Sequence, residues 1–187
     1  MTPLERTQPS PPEAGGMGTL GAVALLGVLL AGFAFLPRLF PEQTGPLLGH
    51  DAPDFRLDVV ANGKPGPLGV GDLHGSVVVL DFWATWCGPC RAETPILDAL
   101  SRRWRDRGVT VVGIDTDTPD QGDPRAFAQS EGLSYPIVHD ETGAVSRRYG
   151  VEGLPTLVVI SPAGKVVAIR TGLTDDEELE RLIRKAL

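Results

Sequence analysis

The sequence predicts an α/β domain with a central mixed β-sheet flanked by helices. Apolar, β-rich runs alternate with amphipathic runs from Asp51 onward, which gives the element order βαβαβαββα. Residues 77–82 and 109–114 are apolar runs of the kind found in strands covered on both faces, and Asp81 is the one polar interruption of the first. The 187 residues suffice for one domain of roughly 100 to 150 residues plus additional segments.

Two hairpins are predicted at the ends of this pattern. Residues 55–60 alternate apolar and charged side chains like a half-buried strand, and the turn-rich residues 62–67 follow, so we expect an added N-terminal hairpin at the sheet edge. Residues 157–160 and 166–170 are expected to pair across Ala163-Gly164.

The first and last helices have recognisable ends. The first is expected to begin around Cys87, to be kinked by Pro95 and to end at Gly108. The last is expected to begin with a capping box, in which Thr174 is followed three residues later by Glu177.

The N-terminal segments are expected to tether the domain to a membrane. Residues 18–36 carry no charge and no strongly polar side chain, and as a helix they would span about 28 Å, which matches a bilayer core. We assign residues 1–17 as a tail, residues 37–49 as a linker and residues 50–187 as the folded domain.

A cleaved signal peptide is the alternative for the same apolar segment. Gly32-Phe33-Ala34 supplies small residues at the separation that processing requires, and the cleaved protein would be secreted. The few charges that flank the span give no orientation.

Charge and cysteine usage exclude two other classes of protein. The net charge of -7 is spread along the chain, and the basic run at residues 102–107 is interrupted by Trp104 and Asp106, so no nucleic-acid partner is expected. The chain has only two cysteines, Cys87 and Cys90, so no disulfide framework joins distant parts of the fold.

The two cysteines are spaced for thiol–disulfide exchange. In this reaction a thiolate attacks a disulfide sulfur, and a second thiol then resolves the mixed disulfide. At the start of a helix, the Cys87 thiolate would be stabilised by unpaired backbone N–H groups and by the helix dipole. Cys90, one turn inside the helix, is expected to be less exposed and to resolve the intermediate.

The residues around these cysteines resemble the thioredoxin superfamily. Residues 81–90, Asp-Phe-Trp-Ala-Thr-Trp-Cys-Gly-Pro-Cys, carry the resemblance. Ala-Pro-Asp-Phe at 52–55, Gly-Asp-Leu-His-Gly at 71–75 and Arg-Ala-Glu-Thr-Pro at 91–95 are similar to its membrane-anchored, extracytoplasmic branch, which is related to the redoxin and AhpC/TSA proteins and includes thioredoxin-like proteins of cytochrome c maturation. Over residues 50–187 the resemblance implies a thioredoxin-like fold and a redox-active disulfide, with no cofactor and no metal.

The same resemblance implies a substrate-binding surface. Pro155 lies where the superfamily has a cis-proline that packs beside the disulfide, and Leu154 would present its backbone to an extended partner. Trp86 is expected beside the disulfide, where it would shape the docking surface together with Gly88 and Pro89.

Two carboxylates are candidates for proton transfer. Asp81 matches the buried acid of cytoplasmic thioredoxins, and burial in a strand would raise its pKa and let it accept the proton of Cys90. Glu93 matches a carboxylate that extracytoplasmic relatives place near the site. We take Asp81 as the main acceptor and Glu93 as a secondary candidate, with an ordinary surface position as the alternative for Glu93.

The expected activity is reduction of a partner protein disulfide outside the cytoplasm. Gly88-Pro89 is the dipeptide of reducing thioredoxins, and a membrane donor would supply the electrons, as in cytochrome c maturation. There are three alternative functions. A peroxiredoxin-like thiol peroxidase is suggested by residues 140–151, but Ala84 stands where those enzymes need Thr or Ser. The other two are a copper-delivery module using His139 and a non-catalytic binding module.

Overall fold

The computed structural model describes residues 46–187. The expected tail at residues 1–17 and membrane segment at residues 18–36 lie outside the described residues, as does most of the linker at residues 37–49. Within residues 46–187, no helix combines the length and the apolar character that crossing a bilayer requires.

After two N-terminal strands, strands and helices follow the predicted order βαβαβαββα. The strands are β1 (Arg56–Ala61), β2 (Pro67–Gly69), β3 (Val77–Trp83), β4 (Val109–Asp115), β5 (Ile137–His139), β6 (Thr156–Ile160) and β7 (Val166–Thr171). The α-helices of the described part are α1 (Gly88–Trp104), α2 (Pro124–Ser130), α3 (Ala144–Arg148) and α4 (Asp176–Ala186), and 3-10 turns cover Val70–Leu73 and Arg105–Arg107.

The strands form one seven-stranded mixed sheet in the order β2-β1-β5-β4-β3-β6-β7. Strands β3, β4 and β5 run parallel, while the β1–β2, β1–β5, β3–β6 and β6–β7 pairs are antiparallel. This arrangement confirms the expected thioredoxin-like α/β fold. The β1–β2 pair is the predicted edge hairpin, and β6–β7 is the predicted second hairpin.

The central strand β3 is buried along its whole length and separates two cores. Because side chains alternate across a strand, Val79 and Trp83 pack with α1 and α4 on one face, whereas Leu80 and Phe82 pack with Tyr149 on the other. Asp81 falls in the α1 set by the same alternation. The one acid of β3 is therefore buried on the face that α1 covers.

Helix α1 begins immediately after Cys87, as the sequence predicts. Cys87 is the N-cap, and its Sγ accepts a hydrogen bond of 3.2 Å from the backbone N–H of Cys90. Pro95 lies inside the helix. After the 3-10 turn, Gly108 ends the segment with φ 76°, a left-handed conformation that glycine adopts without steric cost.

The predicted capping box of the last helix is wrong by one residue. The N-cap of α4 is Asp175, whose Oδ1 accepts a hydrogen bond of 2.8 Å from the backbone N–H of Glu178. Thr174 points its own backbone N–H at Glu93 Oε1, at 2.7 Å. The backbone of Thr174 therefore bonds to a buried side chain, and the adjacent Asp175, whose carboxylate is a stronger acceptor, caps α4.

Candidate active site

A disulfide joins Cys87 and Cys90 at the junction of β3 and α1, with an S–S distance of 1.97 Å. Both residues are buried to a similar degree, with exposures of 4% and 3%, so overall burial does not distinguish them as we expected. Access does distinguish them, because Cys87 lines an open cleft and Cys90 is not among the residues that form its walls. A molecule in this cleft meets Cys87 first.

The cleft has a volume of about 460 Å³ and contains most of the predicted docking residues. Trp86 is 59% exposed at its rim, an unusual position for so large an apolar side chain. Trp86 thus lines the same cleft as Cys87, while Phe82 and Trp83 are buried in the core. The cleft is lined by Trp86, Cys87, Gly88, Pro89, Thr116, Gly143, Ser146, Val151, Glu152, Gly153 and Leu154.

The peptide bond between Leu154 and Pro155 is cis, as the resemblance implies. Pro155 is buried immediately before β6, and its carbonyl accepts a hydrogen bond of 2.8 Å from Gly172 N–H at the end of β7. Leu154 is only partly buried and lines the same cleft as Cys87. The hydrogen bond from Gly172 thus fixes Pro155, while Leu154 lines the cleft that contains Cys87.

Asp81 and Glu93 are both buried, Asp81 on β3 and Glu93 on α1, the two elements that meet at the disulfide. Glu93 has no exposed surface, so its alternative as a surface helix residue is wrong. The Thr174 hydrogen bond occupies Glu93 Oε1, whereas Glu93 Oε2 and Asp81 Oδ1 have no hydrogen-bond partner within residues 46–187. Glu93 lies one turn after Cys90 on α1, hence on the same helix face.

Burial changes the acid–base properties of both carboxyl groups. Desolvation raises the pKa of Asp81 well above its ordinary range, and the charge of Glu93 raises it further. Desolvation also raises the pKa of Glu93 to about 7, against the opposing effect of the Thr174 hydrogen bond. Both carboxyl groups therefore bind a proton more tightly than an ordinary carboxylate does, so the ionised form of either can act as a proton acceptor.

His139 is not placed to complete a metal site with the cysteines. It lies at the end of β5, and its Nδ1 is 2.6 Å from Oδ2 of the buried Asp115. Within residues 46–187 no group of three or more His, Cys, Asp or Glu side chains could hold a metal ion. The histidine on which copper delivery would depend is thus engaged with Asp115.

Comparison with known proteins identifies the family. Residues 48–169 match the sequence model of the AhpC/TSA family. The chain belongs to the AhpC/TSA family. Among similar proteins, the thiol-disulfide oxidoreductase ResA of Geobacillus kaustophilus is 36% identical over 160 residues, which cover 84% of this chain and 90% of that protein. ResA of Geobacillus thermodenitrificans is 34% identical over 159 residues, covering 85% and 89%.

Solved structures agree with this assignment. The chain is 38% identical to a Chlorobium tepidum protein assigned as the thiol:disulfide interchange protein DsbE, with a TM-score of 0.68 over 74% of this chain and 96% of that one. A second Chlorobium tepidum structure, a thioredoxin family thiol:disulfide interchange protein, is 27% identical, with a TM-score of 0.63 over 76% and 98%. This AhpC/TSA family member is therefore a thiol–disulfide oxidoreductase with a thioredoxin-like fold.

Sequence reasoning missed one group of residues near the site. Asp115 and Asp117 are fully buried at the carboxyl end of β4, next to the loop that leads to Cys87. The available signal was two acids, one residue apart, directly after a buried parallel strand. Carboxyl ends of parallel strands meet at one sheet edge, so these acids had to lie near the end of β3.

Glu93→Gln should change how stability depends on pH. A carboxyl group whose pKa is raised by folding stays protonated in the folded state while the unfolded chain releases its proton, so stability falls as pH rises from about 4.5 to about 7. Glutamine removes this loss, and it also lowers the pKa of Asp81 by removing a neighbouring charge. Between pH 5 and pH 8, the free energy of unfolding of the oxidised variant should therefore rise by on the order of 2 to 3 kcal/mol relative to that of the parent.

Urea unfolding of the oxidised protein at a series of pH values measures this difference. Asp106→Asn, which changes an exposed carboxylate just beyond α1, is the matched control and should follow the parent curve. A parallel course of the Glu93→Gln and parent curves across this range would contradict the raised pKa.

Proposed function

We propose that this oxidoreductase is a membrane-tethered reductant that works outside the cytoplasm and reduces a disulfide in a partner protein. One arrangement carries the proposal: a disulfide of which Cys87 lines a cleft and Cys90 does not, with one buried carboxyl group on each of the two elements that meet there, β3 and α1. The cleft can hold a segment of the partner, and the carboxyl groups accept the proton that Cys90 releases.

The first half of the reaction takes place at Cys87. In the reduced protein its thiolate attacks one sulfur of the partner disulfide, and the other partner sulfur leaves as a thiolate that takes up a proton. Cys87 is the N-cap of α1, where the Cys90 N–H points at its sulfur at 3.2 Å and the helix dipole favours negative charge. Cys87 is therefore the nucleophile.

The second half resolves the mixed disulfide from inside the protein. Cys90 gives its proton to Asp81, with Glu93 as the secondary acceptor, and its thiolate attacks Cys87 Sγ. The bond between Cys87 and the partner breaks, and the second partner sulfur leaves and is protonated. Two electrons have then passed from the dithiol to the partner, and a new Cys87–Cys90 disulfide remains.

The cleft supports recognition of an extended partner segment. Leu154 precedes the cis-proline and offers backbone groups along one part of the cleft, while Trp86 offers an exposed aromatic face. Gly88 and Pro89 leave the approach to Cys87 free of bulky side chains. Binding through backbone groups and one aromatic residue suits a partner segment that is unfolded around its disulfide.

The surroundings of the dithiol favour reduction over oxidation. A pair becomes strongly oxidising when its reduced form is stabilised as a thiolate. Here Cys90 is buried, and burial disfavours a second thiolate for the same reason that it raises the pKa of Asp81 and Glu93. Gly88-Pro89 between the cysteines points in the same direction.

The proposed location rests on a sequence feature, and the proposed partner rests on the relatives of this chain. The uncharged span at residues 18–36 would anchor the protein, and a membrane dithiol donor would return electrons to the Cys87–Cys90 disulfide. Relatives named ResA and DsbE support a dedicated partner, which we propose to be an apocytochrome disulfide during cytochrome c maturation. The alternative function, a thiol peroxidase, is disfavoured, because Ala84 is buried and lacks the hydroxyl group that such an enzyme needs at this position.

Cys90→Ala should trap the partner as a stable mixed disulfide. The variant keeps the nucleophile but has no thiol to resolve the intermediate, so a covalent complex accumulates that dithiothreitol releases. Mass spectrometry of complexes captured in cells identifies the partner. The matched control, Cys87→Ser with Cys90→Ala, should trap nothing, and the single variant Cys87→Ser should lose all disulfide reductase activity. Full function in Cys87→Ser would establish a non-catalytic role.

The midpoint potential of the pair should be close to that of thioredoxin, about -270 mV. Burial of Cys90 leaves the reduced form without the stabilisation that produces oxidising pairs. Titration of the purified domain in glutathione or dithiothreitol buffers, followed by tryptophan fluorescence, gives the value, and Cys87→Ser should show no transition. A midpoint near -120 mV would reverse the proposed direction.

A reporter fused after Leu187 should be active only outside the cytoplasm. Alkaline phosphatase, which requires disulfides, should be active in the fusion, and a cytoplasmic reporter at the same position should be inactive. Removal of residues 1–36 from both fusions is the control and should exchange the two results. Activity of the cytoplasmic reporter on the full chain would contradict the proposed location.

A further inference from the structure

The loop that leads to Cys87 is held by the segment that follows β4. The carbonyl of Trp83 accepts two hydrogen bonds from Thr116, one from its backbone N–H at 2.9 Å and one from its hydroxyl at 3.0 Å. The next residue, Asp117, accepts a hydrogen bond from Thr85 N–H through its Oδ2 at 3.0 Å. We call residues 116–122 the clamp segment.

The clamp segment fits closely around Thr85. A Cβ on Gly122 would lie 1.9 Å from Thr85 Oγ1 and 3.1 Å from Asp117 Oδ2, so only glycine fits there without moving the loop. Asp117 itself has no exposed surface, although it carries a carboxyl group. Thr85 is therefore held through its backbone by Asp117 and enclosed by Gly122.

Asp117 belongs to a buried polar group that is expensive for folding. Burial is the main cause of the raised pKa of Asp115, and the charge of the nearby Asp117 carboxyl group raises that pKa further. His139 contacts Asp115 from β5 at 2.6 Å, and the remaining Asp117 Oδ1 has no partner within residues 46–187. Two adjacent buried acids destabilise a fold unless they are well paired, so core stability does not explain Asp117.

The contact reaches the nucleophile within two residues. Thr85 is followed by Trp86 and Cys87, and Cys87 N–H donates to the Ala84 carbonyl at 3.1 Å, which closes a turn around Thr85. A shift of Thr85 would therefore move the turn that sets Cys87 as the N-cap of α1. It would also move Trp86 at the cleft rim.

We propose that Asp117 is a positioning residue for thiol–disulfide exchange, which fixes the Thr85 amide and thereby holds Cys87 at the N-terminus of α1. The inference rests on exchange chemistry at Cys87 and is independent of the proposed direction, location and partner. Asp117 acts through the backbone of the redox loop and does not itself touch the reacting sulfurs.

Two substitutions separate the hydrogen bond from the charge. Asp117→Ala removes both, whereas Asp117→Asn removes the charge and keeps an oxygen that can accept from Thr85 N–H. The reaction of each reduced protein with glutathione disulfide measures exchange without any partner protein or membrane, and absorbance of the thiolate at 240 nm measures the Cys87 pKa. Asp120→Ala is the matched control, because Asp120 is an exposed acid of the same segment bonded to Thr118.

The expected result is a loss in Asp117→Ala that Asp117→Asn rescues. The alanine variant should react about tenfold more slowly than the parent, with a Cys87 pKa about one half to one unit above that of the asparagine variant, because Cys87 is held less well at the helix N-terminus. Asp117→Asn should stay within about twofold of the parent, and Asp120→Ala should match it. Equal rates and equal Cys87 pKa values in Asp117→Ala and Asp117→Asn would overturn the proposal.

Gly122→Ala keeps the test decisive if Asp117→Ala fails to fold. Its Cβ would displace the Thr85 side chain, so exchange should slow although Asp117 itself is unchanged. A folded Gly122→Ala variant with parental rate and parental Cys87 pKa would overturn the proposal in that case. Failure of the trapping, potential or reporter experiments leaves these outcomes unaffected, because glutathione disulfide replaces the partner.

Discussion

The pairing of β3 with a strand on each side determines where every part of the redox site lies. β3 runs parallel to β4 and antiparallel to β6, and it is fully buried between them. The end of β3, the end of β4 and the start of β6 therefore share one edge of the sheet. These three points carry, respectively, the loop to Cys87, the clamp segment and the cis-Pro155.

The same edge of the sheet also leads to Thr174, which donates a hydrogen bond to Glu93. β7 ends beside the start of β6, and the chain then turns through Gly172 to Thr174, whose N–H reaches Glu93 on α1. The backbone of the last hairpin thus supports both the cis-proline loop, through Gly172, and the buried glutamate. The site is assembled from distant parts of the chain by ordinary sheet pairing and a few backbone hydrogen bonds.

Local features of the site could be predicted from sequence because their causes are local. A Cys-Gly-Pro-Cys segment after an apolar strand indicates a helix start and a disulfide, and the resemblance to known proteins supplied the cis-proline. Burial of Glu93 could not be predicted in this way, because the side chain is covered and bonded by Thr174, 81 positions away. The capping error has the same origin, since the pattern does not reveal that Thr174 serves the interior.

The acids after β4 show a second limit of sequence reasoning. Asp115 and Asp117 look like loop residues in the sequence, and only the sheet order places Asp117 against Thr85 and His139 against Asp115. Buried acids that lack full hydrogen bonding are unfavourable for folding, and in this domain they concentrate around the redox loop.

Access to only one of the two sulfurs has a kinetic consequence. Cys87 meets molecules that enter the cleft, so its step depends on how often and how well a partner docks. Cys90 reacts only with its neighbour, in an intramolecular step whose effective concentration is set by the helix and not by the solution. Dilution and crowding therefore act mainly on the first event, because the release of a captured partner by Cys90 is a unimolecular step.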